Sequence, residues 1–193
     1  MSWIRRNLSG IIALILLIAV ASFVIYWRTS VEDKPGDYHV RKGNYRLEDG
    51  FYEEAIKEFN LALKKNPNHE EAYLGLAITY LQMKNYDEAL KYFNKTIEIA
   101  PNMAVAYADR GILYDRMGKY ELALKDYRRA LELDPKLAKG PGWLWRFLHN
   151  IPKKPPTIKQ RADYIEAQLK KPPEERILSV PEIDNKDNRL YKY

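Results

Sequence analysis

The sequence predicts an all-α protein in which three stacked helix–turn–helix repeats follow a single membrane-spanning helix. Three observations support this: a 34-residue period, apolar positions at helical spacing within each period, and an uncharged apolar run near the N-terminus. A period of about 20–50 residues marks a stacked-repeat architecture. Five columns keep the period, namely Tyr52, Tyr86 and Tyr120; Ala55, Ala89 and Ala123; Phe59, Phe93 and Tyr127; Ala62, Thr96 and Ala130; and Pro67, Pro101 and Pro135.

The amino-acid composition argues against several classes of function. The 193 residues carry 32 Lys and Arg against 26 Asp and Glu, a net charge of +6. The two signs are interspersed along the chain, whereas a nucleic-acid footprint needs a patch of one sign. We therefore expect no nucleic-acid partner. The chain contains no cysteine, which excludes disulfides, thiol catalysis and Cys-ligated zinc.

The apolar run covers residues 8–27 and follows a short flank, residues 1–7. Its 20 uncharged residues would span about 30 Å as a helix, which matches the hydrocarbon core of a bilayer. Trp3 lies just before the run, and Tyr26 and Trp27 close it, as aromatic residues do at membrane interfaces. The pattern predicts one transmembrane helix at 8–27, and so the membrane is an expected partner.

A cleaved signal peptide is the alternative interpretation of the same run. Arg5 and Arg6 would form its charged start, and cleavage after Ala21 would release a soluble secreted module. If the helix is retained, the compact basic start favours a cytoplasmic N-terminus. The rest of the chain would then lie on the non-cytoplasmic side, which in a bacterium is the periplasm. A linker at 28–36 is too short to hold the repeats far from the bilayer.

Each repeat is predicted to form two helices, A and B. In the second repeat we expect helix A at Glu70–Lys84 and helix B at Tyr86–Ala100. Small residues at Gly43, Ala77 and Gly111 would let helix A approach helix B closely. The repeat region is 37–137, with the individual repeats at about 36–69, 70–103 and 104–137.

These residues resemble the tetratricopeptide repeat family, whose pattern is W-x2-L-G-x2-Y, then A-x3-F, then P. The first repeat departs from the pattern, because His39, Lys42 and Arg46 stand in the large apolar slots. The third repeat has Arg110 in the leucine slot. The resemblance implies a right-handed superhelix whose A helices line a concave groove. The best match is the second repeat, through Tyr73, Leu76, Ala77, Tyr80, Ala89, Phe93 and Pro101.

By register, the resemblance assigns ten groove residues. They form an apolar strip with a polar rim, which suits a peptide or an amphipathic helix. A family mode that grips a carboxylate with Lys and Asn side chains is disfavoured, because only Asn44 is in place and Val40 and Ile78 are apolar. Alternatively, some of these residues are buried against the chain's own tail. The ten are Val40, Asn44, Leu47, Leu74, Ile78, Leu81, Gln82, Ala108, Ile112 and Asp115.

Residues 138–171 are expected to finish the solenoid. Trp143, Trp145 and Phe147 form an aromatic segment that either plugs the third repeat or contacts a partner or membrane. Thr157, with Gln160 three residues on, predicts a capping box that opens a cap helix at about 158–170. An extended arm, residues 172–193, would follow.

The sequence offers no sign of catalysis. His39, His69 and His149 are far apart, and no phosphate-binding, nucleophile or zinc-protease motif is present. We therefore predict no catalytic residue, no metal and no cofactor. The expected function is a membrane-anchored scaffold that binds a protein partner, in its most concrete form an assembly factor or accessory subunit of a membrane complex. The alternatives are a secreted peptide-binding module and a membrane-interface binding protein.

Overall fold

A computed structural model of the chain describes residues 2–30, 34–140 and 157–179; within the first helix, side chains are described only at 10 and 12–26. The chain divides into two compact units, Met1–Lys34 and Pro35–Tyr193. All described secondary structure is helical.

The first unit contains one helix, α1 (Ser2–Ser30). Its described apolar side chains are exposed, among them Leu17, Phe23 and Ile25. None of the helices, as far as the structure describes them, combines the length and apolar character that a membrane crossing requires. The transmembrane helix predicted at 8–27 is therefore not shown and stays a prediction.

The second unit contains the repeats as three helix pairs. Helices α4 and α6 begin after an extended residue, and α3 and α7 end at one, so the pairs are separated by short turns. In the second repeat the helices end one or two residues before the positions predicted for them. The pairs are α2 (Asp37–Glu48) with α3 (Tyr52–Lys65), α4 (Glu70–Gln82) with α5 (Tyr86–Ile99), and α6 (Ala104–Arg116) with α7 (Tyr120–Leu133).

The turn inside each pair needs one residue with a left-handed backbone. Gly50 and Gly118 take this role in the first and third repeats, with φ of 80° and 70°. In the second repeat Lys84 takes it, with φ of 60°. A side chain in this conformation costs about 1 kcal/mol or more, which glycine avoids.

Close packing between helices depends on glycines facing aromatic rings. Phe59 is completely buried between Gly43 of its own repeat and Gly75 of the next. A Cβ added to Gly43 would lie 2.7 Å from Cε1 of Phe59, and one added to Gly75 would overlap the same ring. Gly111 and Tyr127 repeat the arrangement in the third repeat. The ring of Phe59 therefore joins the first two repeats.

A short 3-10 helix (Pro135–Ala138) follows α7, and α8 (Ile158–Leu169) packs against both. The Thr157 hydroxyl accepts a hydrogen bond from the Gln160 amide at 3.2 Å, and Gln160 Oε1 accepts one from the Thr157 amide at 2.9 Å. The predicted capping box is thus present. Ile158 and Ile165 enter the core shared by the three repeats. A second 3-10 helix, Pro173–Glu175, lies before the last described residues.

Candidate peptide-binding groove

The three A helices lie side by side, because α2 contacts α4 and α4 contacts α6. They carry the ten residues predicted for the groove. Their role in binding stays a prediction, but their surroundings are now defined. Val40, Leu47, Ile78, Leu81, Ala108 and Ile112 are buried, whereas Asn44, Leu74, Gln82 and Asp115 are partly exposed.

Burial of this strip is the main unexpected feature of the groove. Val40, Ile78 and Ile112 expose only 3%, 7% and 6% of their surface, one in each repeat. Because the structure contains this chain alone, its own atoms exclude solvent from the strip. Leu74 remains the apolar position of the strip with substantial exposure.

The third-repeat end of the groove is held by an ion pair. Arg161 of α8 binds Asp115 through two hydrogen bonds, Nε to Oδ2 at 2.6 Å and Nη2 to Oδ1 at 2.7 Å. The two side chains are only 8% and 10% exposed, and the Tyr127 hydroxyl donates to Asp115 at 3.2 Å. Partial burial with bidentate geometry makes such a pair more than a surface contact. The groove position Asp115 is therefore already occupied by the cap helix.

Arg161 was not predicted as a functional residue. The sequence did contain a signal, because Arg161 lies three residues after Ile158 and directly before Ala162, beside the apolar stripe of α8. A charged residue at the edge of a buried stripe needs a partner. Naming Asp115 as that partner required the fold, since the two residues are 46 positions apart.

Three side chains of α8 bind the backbone of the segment that follows it. The Tyr164 hydroxyl donates to the Ile177 carbonyl at 2.6 Å, and Gln168 Oε1 accepts from the Ile177 amide at 3.1 Å. Arg161 Nη2 donates to the Leu178 carbonyl at 3.0 Å. The Leu178 side chain packs against the core. The spacing i, i+3, i+7 places these three donors and acceptors along one face of α8.

Polar residues that replace the family's apolar slots are paired inside their own repeats. In the first repeat, His39 Nδ1 donates to Glu58 at 2.8 Å and Lys42 Nζ contacts Glu58 at 2.7 Å. The hydrogen bonds from His39 and Lys42 lower the pKa of the Glu58 carboxyl below its ordinary value of 4.5. In the third repeat, Arg110 binds Asp126 through two bonds at 2.7 and 2.9 Å. These departures from the family pattern therefore come with their own counter-ions.

Asp37, His69 and Glu71 place three potential metal ligands within 4.8 Å of one another. His69 is buried, and its Nε2 lies 2.8 Å from Asp37 Oδ1, a hydrogen-bond distance. This bond joins the first residue of α2 to the residue that precedes α4. The buried imidazole of His69 therefore has a structural role, which is to link the first repeat to the second. The absence of a metal site stays a prediction.

Comparison with known proteins decides the family. The tetratricopeptide repeat family matches residues 37–102 and 69–136, which together cover more than half of the chain. The chain belongs to the tetratricopeptide repeat family. As a tetratricopeptide repeat protein it is a protein–protein interaction module, and proteins of this family are typically non-enzymatic scaffolds.

Solved structures of other tetratricopeptide repeat domains resemble the chain. The first such domain of Spaghetti (RPAP3), bound to the HSP90 peptide SRMEEVD, is 26% identical, with a TM-score of 0.51 over 62% of this chain and 92% of that one. The second domain of the same protein, bound to the same peptide, is 25% identical, with a TM-score of 0.50 over 52% and 94%. The Arabidopsis OM64 domain, at 24% identity and a TM-score of 0.51 over 53% and 85%, supports the fold alone. No curated protein matches the chain.

Two predicted features lie outside the described residues. Trp143, Trp145 and Phe147 fall within 141–156, and most of the extended arm falls within 180–193. Both remain predictions.

Proposed function

We propose that this tetratricopeptide repeat protein is a membrane-anchored scaffold without enzymatic activity, and that its groove holds a peptide or helix of a partner protein. The observation that carries the proposal is the apolar strip on the A helices, to which three successive repeats contribute Val40, Ile78 and Ile112. Two domains of one protein, both of similar fold, are bound to a peptide. An apolar strip beside polar residues is suited to anchoring a partner segment by alternate side chains.

The chemistry of the groove favours an apolar partner over an acidic one. The relatives' peptide, SRMEEVD, carries two Glu and one Asp. In this chain Val40 and Ile78 occupy positions where a carboxylate would need polar donors, and Asp115 is already bound by Arg161. A ligand carboxylate buried there without a polar partner would cost free energy. We therefore expect a fluorescent SRMEEVD peptide to show no saturable anisotropy change with the purified protein.

The anchor in the proposal is α1. Support comes from the uncharged run at 8–27 and from exposed apolar side chains such as Leu17 and Ile25. We propose a cytoplasmic N-terminus with the repeats in the periplasm, and a role as an assembly factor or accessory subunit of a membrane complex. A short linker favours this role because it keeps the groove near the membrane.

The groove is tested by capture from detergent-solubilised native membranes followed by mass spectrometry. Leu74→Asp introduces a charge at the accessible position of the strip and should lose the specific partner. Leu122→Asp is the matched control, because Leu122 is an exposed leucine on α7, 44% accessible. Circular dichroism melts verify that both variants fold. Retention of the same partner by Leu74→Asp would exclude the groove as its binding site.

The anchor is tested separately. Alkaline carbonate should leave the protein in the membrane pellet, and mass spectrometry should find an uncleaved N-terminus. A chain that begins at Ser22 would instead establish the secreted module. Alkaline phosphatase fused after Tyr193 should be active, whereas fluorescence of a reporter that folds only in the cytoplasm would overturn the periplasmic assignment.

A further inference from the structure

We propose that the outer face of α2, the first helix of the repeats, is a second membrane-contact surface, which lies on the phosphate and glycerol layer of the bilayer. This inference rests on the proposed function, because it takes α1 to be the membrane anchor. It deepens that function by stating which face of the repeat stack meets the lipid.

Three exposed side chains form a stripe along α2. Tyr38, Arg41 and Tyr45 follow one another at i, i+3 and i+7, which places them on one side of the helix. The two tyrosines expose 61% and 66% of their surface. Among the residues that the structure describes in the repeats, no other aromatic side chain is as exposed. We call Tyr38, Arg41 and Tyr45 the α2 stripe.

The 34-residue register shows what the α2 stripe corresponds to in the other repeats. The equivalent residues of the second and third repeats are all buried. One of them, Gly75, packs against Phe59 of the preceding repeat, and α4 and α6 contact α3 and α5. The stripe is therefore the side of helix A by which the later repeats stack on the repeat before them. The six equivalents are Ala72, Gly75 and Thr79, and Ala106, Asp109 and Leu113.

The size of the side chains in the α2 stripe argues against a further repeat as its occupant. A single carbon added at Gly75 would overlap the ring of Phe59. The equivalent position of α2 carries the whole side chain of Arg41, with a tyrosine on either side. Helices that stack at the density of a protein core leave no space for such residues. A second copy of the chain therefore does not extend the repeat stack at this end.

The chemistry of the α2 stripe suits the interface of a bilayer. Tyrosine has an apolar ring and a polar hydroxyl, and it is enriched where acyl chains give way to headgroups. Arginine extends an apolar stem and places its guanidinium on phosphate. The charge between the two tyrosines is Arg41, whereas Asp37 is half-buried on His69 and the exposed Glu48 lies at the end of the helix. The centre of the stripe therefore complements the negative phosphates of lipid headgroups.

The α2 stripe also follows the proposed anchor directly along the chain. Helix α1 ends at Ser30 and α2 begins at Asp37, so the connection covers roughly 25 Å at most, at about 3.3–3.6 Å per residue. If α1 crosses the bilayer as proposed, the start of α2 stays within this reach of the membrane. A terminal repeat that faces water needs a polar outer face. Contact with lipid explains why two exposed tyrosines occupy that face here.

A fluorescence experiment tests the proposal in the full-length protein. The chain has no cysteine, so Tyr45→Cys introduces a single thiol for a fluorescent dye. The labelled protein is reconstituted into nanodiscs of phosphatidylcholine and phosphatidylglycerol, with or without a lipid that carries a spin label on its headgroup. The spin label should quench most of the emission from the Tyr45→Cys site. Leu122→Cys is the matched control, because Leu122 is exposed on the third repeat, and its emission should be unchanged.

A second pair of variants tests the contact between arginine and phosphate. In the Tyr45→Cys background, Arg41→Glu should reduce quenching, whereas Arg41→Lys keeps the positive charge and should preserve it. Circular dichroism melts verify that both variants fold. Equal quenching in the two variants would overturn the role assigned to Arg41.

The remaining outcomes separate this proposal from the anchor itself. If the protein migrates with the nanodiscs but the spin label leaves the Tyr45→Cys emission unchanged, the proposal is overturned and the anchor stands. Failure of the full-length chain to enter the nanodiscs would overturn the anchor and this proposal together. Disulfide-linked dimers of Tyr45→Cys would identify a second copy as the occupant of the α2 stripe, and would also overturn the proposal.

Discussion

Substitution of Gly75 by alanine tests the packing that joins the first two repeats. Phe59 is fully buried, with Gly43 on one side and Gly75 on the other. A Cβ on Gly75 would overlap Cε1 and Cζ of Phe59 and lie 2.8 Å from Cδ1. Carbon atoms that are not bonded prefer separations of about 3.5–4.0 Å. The ring cannot withdraw, because Gly43 leaves no free space on its other side.

The magnitude follows from two opposing effects. Overpacking of a close-packed core costs about 1–3 kcal/mol. Alanine is favoured over glycine inside a helix by about 0.5–1 kcal/mol, which offsets part of that cost. The expected net destabilisation of Gly75→Ala is about 1–2 kcal/mol. For a chain of this size it corresponds to a melting temperature lower by roughly 2–8 °C.

Circular dichroism melts of the full-length protein measure the effect. Gly10→Ala is the control, because a Cβ at Gly10 meets nothing within 4 Å and should leave the repeat transition unchanged. The double variant Gly75→Ala with Phe59→Leu should recover part of the loss relative to the sum of the single effects, since neighbours in contact are not additive. A melting temperature of Gly75→Ala equal to or above that of the wild type would refute the reasoning.

Three other substitutions probe distinct features. Ala89→Leu should overpack the buried face of α5 and lower stability by about 1–3 kcal/mol in urea titrations. Arg161→Lys should lose the bidentate bond to Asp115 and destabilise by about 1–2 kcal/mol, again measured in urea. Glu58→Gln should flatten the acid dependence of stability. The folded pKa of Glu58 lies below 4.5, so its contribution is complete above that pH and is lost as the pH falls through the lowered value.

Each of these has an outcome that would contradict it. Lys64→Leu, at an exposed position, is the control for Ala89→Leu, and equal losses at both sites would remove the packing explanation. An unchanged urea midpoint for Arg161→Lys would mean that its fork geometry is unimportant. For Glu58→Gln, the deficit relative to the wild type should be constant above about pH 4.5 and should shrink as the pH falls below it, and a deficit that stays constant under acid conditions would exclude the carboxylate as its source.

Sequence periodicity is sufficient for most of the repeat architecture. Aromatic residues recur every 34 positions, as Phe59, Phe93 and Tyr127, because each repeat buries the same face against its neighbour. The positions of the helices can therefore be predicted from this period. The capping box at Thr157 is likewise a local pattern of hydrogen bonds. Gly50 and Gly118 have the left-handed backbone of the turns inside their repeats, and a glycine at a turn is itself a local signal of that conformation.

The remaining features depend on contacts between distant residues. Gly75 is absent from the small-residue positions predicted to control packing, because its partner Phe59 belongs to the preceding repeat. Lysine gives no sequence signal for a left-handed backbone. Lys84 adopts this conformation because the turn between α4 and α5 requires it. Burial of Ile78 could not be deduced from register, since register defines the face of a helix but not what covers it. The same limit applies to the ion pair of Arg161.

The alternation of charged and apolar pairs has a consequence for assembly of the fold. One position of helix A faces one position of helix B in each repeat. The residues at these two positions are Lys42 and Glu58 in the first repeat, Leu76 and Tyr92 in the second, and Arg110 and Asp126 in the third. Similar repeats risk pairing a helix with the wrong partner while they fold. If α4 packed against α3 or α7 in place of their own A helices, Glu58 or Asp126 would be buried without a counter-ion, at a cost of several kcal/mol. The charged pairs thus favour the correct pairing between helices that are otherwise alike. A chain whose repeats are placed in a different order, with each helix pair left intact, should still favour the correct pairing.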